Sequence, residues 1–182
     1  MDTDVLLGIA TVVLIFGGIP MIAVTVGIVF IHLRELQEPS RTADPARRTG
    51  NTATAVVGVL AGVLLWAAWI SWGDFEYPTW AIVGCVITSV MVVVALGFLA
   101  HWRWSGPFTA ALAGLFGFST ACAVQMGESD DTGLWGVGYM MIVIFGGVVL
   151  AALALGVMLV RTHGAARPTA SSRSRSRPAP GR

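Results

Sequence analysis

The chain has 182 residues, of which 55% are hydrophobic and only 12% charged. About a quarter of the residues in a soluble domain are charged, so this balance excludes an ordinary soluble globular domain, a disordered chain and a disulfide-rich secreted scaffold. Eleven Arg, no Lys and ten acids leave a formal charge of +1, and that near-neutral total hides a segregation along the chain.

Asp2 and Asp4 precede the first apolar stretch, residues 5–31. The start does not read as a cleavable signal, because it is acidic and no small-residue cleavage site follows a short apolar core. Asp2 stands where myristoylation needs glycine, and no Cys box closes the chain. Within the stretch, Ile15-Phe16-Gly17-Gly18 precedes Pro20, which should kink a helix. A polar linker, 32–52, follows. It opens as a helical extension with Arg34 and Glu38 at i,i+4 spacing and stops before Pro39.

The second stretch, 53–72, holds a GxxxG pair, Gly58 and Gly62, and ends in Trp66, Trp69 and Trp72. A tight link with Asp74 and Glu76 leads to Pro78, suited to open the third stretch, 80–100. The next link carries His101 and Arg103. Ser105 or Gly106 should cap the fourth stretch, 107–126, with Pro107 in its first turn. Glu128, Asp130 and Asp131 lead to the fifth stretch, 134–160. From Gly164 to Arg182 the chain is rich in Arg, Ser and Pro. It cannot bury a core and is expected to be disordered.

A helix needs about 20 apolar residues to cross ~30 Å of hydrocarbon, and all five stretches qualify. Only helices satisfy their own backbone in such continuous apolar runs, and none of the five alternates as a barrel strand does. The expected fold is therefore all-α, a polytopic bundle of five transmembrane helices over 1–163 with a tail at 164–182. All eleven Arg follow the first, third and fifth stretches, and the acidic links carry none. The positive-inside rule then places the N-terminus outside and the C-terminus in the cytoplasm. Short links make the second to fourth spans an antiparallel meander. Trp66, Trp69, Trp72, Phe75, Tyr77 and Trp80 form an outer aromatic belt, and Trp102 and Trp104 an inner one.

Few groups carry chemistry. No acid or base lies deep in a span, which points away from proton-coupled carriers and intramembrane proteases. P-loop, GxSxG, HExxH and CxxC motifs are all absent. No catalytic, cofactor or metal site is expected, and no enzyme. His32, His101 and His163 each sit beside an Arg (Arg34, Arg103, Arg161) just past an odd-numbered span. Such residues complement helix C-terminal dipoles, and they also make candidate contacts to anionic lipid headgroups. Cys85 and Cys122 fall at similar depth in an antiparallel hairpin, as small buried groups or as a disulfide. Thr11, Ser71, Thr88, Ser89, Ser119, Thr120 and Gln125 give the outer half weak polarity, for interhelical bonding or a ligand cleft.

The first and fifth stretches share a motif. Ile15-Phe16-Gly17-Gly18 and Ile144-Phe145-Gly146-Gly147 align at an offset of 129, which also pairs Ala23 with Ala152 and Gly27 with Gly156. These small-xxx-small pairs predict a close contact between the two spans, and Gly58/Gly62 a further packing face. The chain reads as a plasma (inner) membrane protein acting as an accessory, scaffold or regulatory subunit. Its expected partners are membrane lipids, anionic headgroups included, and another membrane protein or a second copy, with no specific nucleic acid. The alternative is a small transporter or lipid-handling protein using the outer polar patch.

Overall fold

The structure, a computed structural model, describes residues 3–44, 49–72, 77–129 and 134–165. Arg47, Arg48, the acidic residues Asp74, Glu76, Asp130 and Asp131, Phe75 and the tail from 166 lie outside them. Helix α1 (Thr3–Val12) passes through a π-helical turn (Val13–Gly18) into α2 (Ile19–Gln37). A short α3 (Pro39–Thr42) precedes α4 (Asn51–Trp69), α5 (Thr79–Leu99) and α6 (Ser105–Ser129). Helix α7 (Trp135–Met141) then passes through a second π turn (Ile142–Gly146) into α8 (Gly147–Ala165). Among the described residues the fold is all-helical, with two isolated bridges and no strand. Five stretches are long and apolar enough to cross a membrane: Leu7–Gln37, Asn51–Trp69, Thr79–Leu99, Ser105–Glu128 and Trp135–Gly164.

Helix α6 is the centre. Half of its most apolar stretch is buried, against 11 to 17% in the other four. Its small residues explain this. Ala110, Ala111, Ala113, Gly117, Ser119, Cys122 and Ala123 are all buried on it, and α2, α4, α5 and α8 pack around them. The predicted Gly58/Gly62 face is one half of the tightest seam. A Cβ on Gly62 would stand 2.7 Å from the Phe118 backbone nitrogen, and one on Gly58 2.8 Å from the Ala113 Cβ. Without side chains in the way the two backbones come almost into contact.

The Ala-xxx-Gly contact is corrected. Gly27 and Gly156 have nothing within 4 Å of a Cβ position, and Ala23 and Ala152 are exposed. The first and fifth spans meet nearer the other end, where buried Tyr139 sets its hydroxyl against the backbone of Gly17 and Gly136 faces Val12. Both copies of the repeated Ile-Phe-Gly-Gly lie on a π turn, in full or all but the last glycine. The described parts of the linker, up to Asp44 and from Thr49, are tied down. Ala43 bridges to Trp102 and Thr49 to Ala100, so both described parts lie against the α5–α6 link. Helix α8 continues to Ala165, past the expected start of the tail.

Candidate functional site

All described His and Arg residues gather at one end of the bundle, here the basic end, where α2, α5 and α8 stop and α4 and α6 start. Glu35, Glu38 and Asp44 join them, and of these three acids Glu35 is the buried one. Glu35 continues the inward stripe of α2 through Met21 and Ile28, two seven-residue steps along the helix, and it is fully buried. Its carboxylate accepts the backbone N–H of Trp104 at 2.7 Å and of Ser105 at 3.1 Å, and the Ser105 hydroxyl donates to it as well. A carboxylate from one helix thus terminates another at its positive end, where a negative charge is stabilised. Ser105 was expected to cap α6 itself, yet its hydroxyl donates to Glu35.

His32 stands one turn before Glu35, with its Nδ1 3.6 Å from the carboxylate. The Asn51 amide, in the first turn of α4, donates to that Nδ1 at 3.1 Å and to the Ser105 hydroxyl at 2.9 Å. Four polar side chains from three helices therefore share one knot, in which Glu35 and Ser105 are buried and His32 and Asn51 half-buried. It is not arranged as a nucleophile relay. Ser105, Asn51 and Glu35 all address the same ring nitrogen, and Ser105 is fully buried and already donates to Glu35. Thr42 seals the knot, its hydroxyl bonded to the Glu35 and Glu38 carbonyls at 3.0 and 2.9 Å.

Arg161 does the converse on the other side of the same link. Its guanidinium donates to the carbonyls of Gly97 at 2.8 Å, Ala100 at 2.7 Å and Trp102 at 3.1 Å. The first two are C-terminal acceptors of α5, where a cation is favoured, and the third lies in the link that follows. Glu35 from the first span and Arg161 from the fifth thus hold the α5–α6 link between them. The linker closes over it: His101 N–H donates to Thr49 O and Arg103 N–H to Thr42 O.

The expected girdle of lipid-facing cations splits accordingly. His32 and Arg161 turn inward, the one into the knot and the other onto α5. His101 and Arg103 are half-buried in the link, with His101 edge-on to Trp102 at 5.1 Å. Arg34 and His163 are the exposed pair. Arg34 lies 4.7 Å over the Phe30 ring rather than pairing with Glu38, and His163 donates to Leu159 O. Cys85 and Cys122 are free thiols, both buried, and neighbours across the α5–α6 hairpin. As small groups they fill the helix interface, and no disulfide joins them. In the outer patch Thr11, Ser71 and Thr88 bond to carbonyls of their own helices, and Trp66 donates to Gln125 at 2.8 Å.

Glu35, Asn51 and Tyr139 were not singled out in the sequence. The signal for Glu35 was its seven-residue register with Met21 and Ile28. Among the described residues no group of three His, Cys, Asp or Glu is placed to hold a metal. Comparison with family models, with curated proteins and with solved structures gives no match to this chain.

Proposed function

We propose that this chain is a multi-pass plasma (inner) membrane protein, with its basic end in the cytoplasm, that serves without catalysis as an accessory, scaffold or regulatory subunit. The observation that carries the reading is the Glu35–Arg161 clamp. Glu35 and Arg161 are spent on fixing helix ends, so what the molecule offers is a rigid frame. Its lateral faces do the recognising. The Ala152/Gly156 face of α8 looks outward with open space at Gly156, and small residues there suit a second helix better than lipid. Purification in mild detergent should yield a defined partner or homo-oligomer that Gly156→Leu disrupts without changing the melting temperature. A monomer without companion, together with failure of Ala152→Cys to cross-link in native membranes, defeats the reading.

A lipid-handling role is the second reading. The polar patch lends it little, since much of that patch is bonded internally. An apolar cleft of about 110 Å³ between α2, α6 and α8 favours it instead.

A further inference from the structure

Three partners converge on one nitrogen of His32. The Asn51 amide nitrogen lies 3.1 Å from Nδ1, the Ser105 hydroxyl oxygen 3.3 Å and the Glu35 carboxylate 3.6 Å. The protonation of Nδ1 decides which of them it bonds. An amide nitrogen only donates, so Asn51 needs a bare Nδ1 with its lone pair, and the ring proton then sits on Nε2. Ser105 does not compete, because its proton goes to Glu35. The carboxylate only accepts, and 3.6 Å is longer than a hydrogen bond. The structure therefore shows the neutral ring, held by Asn51.

A proton on Nδ1 reverses these preferences. Asn51 then meets it donor to donor, whereas Glu35 meets a charged donor with an opposite charge. Asn51 is also the member that can give way. Its Oδ1 is buried and has no partner among the described residues, while Glu35 is fixed by the Trp104 and Ser105 N–H groups. Solvent reaches the ring, whose side chain is 27% exposed, and histidine is the residue that changes charge between about pH 5 and 8. Glu35 is the charged group facing it from its own helix, and α4 and α6 face it with the neutral Asn51 and Ser105. In the link, His101 shares the Trp102 ring with it, at 5.1 Å against 5.0 Å, and Arg161 of α8 holds the Trp102 carbonyl. Arg103 and Asp44 stand where the linker meets the link.

We infer that His32 is a pH switch at the basic end. Neutral, it ties the start of α4 to α2 through Asn51. Protonated at Nδ1 by water of the compartment that end faces, it turns to Glu35 and releases the first turn of α4. The Gly58/Gly62 seam lies further along the helix, so the release is confined to that turn and to Thr49, which pairs with the link. The switch goes beyond the frame proposed above: Glu35 and Arg161 keep their helix ends, and one end of α4 becomes adjustable. That the compartment is the cytoplasm rests on the proposed topology; the exchange of partners does not.

Nitrogen-15 NMR of the histidine rings, on the full chain in nanodiscs, reads the switch without any variant. At about pH 8 His32 should carry its proton on Nε2, opposite to His163, whose Nδ1 donates to Leu159 O, and at about pH 5.5 it should carry both. A proton on Nδ1 at the higher pH, or a ring still neutral at the lower, overturns the inference. The Thr54 amide, bonded to Gly50 O in the first turn of α4, reads the consequence. Its protection factor against hydrogen exchange should fall about fivefold from the higher pH to the lower. Asn51→Ala and His32→Phe should hold it at the lower value throughout, and His101→Phe should leave the response intact. No fall in the wild type, a fall that persists in His32→Phe, or one that vanishes in His101→Phe overturns the assignment. In nanodiscs both faces meet the same pH, so failure here counts against the switch and not against the topology.

Discussion

A buried carboxylate is costly unless it is fully hydrogen-bonded, and Glu35 meets that condition by collecting two backbone donors and a hydroxyl. The arrangement makes Glu35 more consequential than any surface acid. Glu35→Ala leaves the Trp104 and Ser105 N–H groups buried without an acceptor and should cost about 3 kcal/mol. Glu35→Gln keeps one acceptor oxygen and should cost less. Thermal unfolding in mild detergent should rank wild type above Glu35→Gln above Glu35→Ala; an alanine variant that melts with the wild type means that the carboxylate does not hold the helix start. Arg161→Lys tests the opposite pole. An ammonium keeps the charge but lacks the planar fork that reaches Gly97, Ala100 and Trp102 together, so melting should fall despite the conserved charge.

Between elements, stability resides in close backbone approach. Gly62→Ala forces α4 away from α6 and should cost about 1–3 kcal/mol, whereas Gly27→Ala, with open space around it, should change melting by less than about 0.5 kcal/mol. Gly17 and Tyr139 form a second such contact. Gly17→Ala collides with the Tyr139 hydroxyl, and Tyr139→Phe in the same chain should recover part of the loss in a double-mutant cycle; additive losses mean that the two do not touch. These elements were unequally legible. The five spans could be read because hydrocarbon demands long apolar runs, and Gly58/Gly62 because GxxxG has one physical use. The Ala-xxx-Gly pairs of the first and fifth spans misled because sequence spacing does not reveal helix rotation. A π turn bonds i to i+5 and holds roughly one extra residue, about 100° of rotation, and both pairs follow such a turn. Glu35 went unread because its donors lie 69 and 70 residues away, across a linker that charge counting treats as solvated.

For the whole molecule, the buried clamp bears on topology. Glu35 counts as an acid in the sequence, yet it is shut inside the bundle, while Arg34 and His163 remain on the surface of the same end. Arg161 is turned onto α5 in the same way, so the two engaged charges offset each other and the surface charge of this end is set by its other groups. The sequence adds the Arg-rich tail on that side and only acids in the links on the other. Positive segments resist export across a membrane, so the basic end should face the cytoplasm. A reporter active only in the cytoplasm should work when fused after Arg182 and stay silent when inserted between Glu128 and Thr132. Because helices α4 to α6 are joined by short links and locked at Glu35 and Arg161, the bundle should insert in one orientation. Activity at both positions would mean dual insertion, and activity only at the acidic link would invert the molecule.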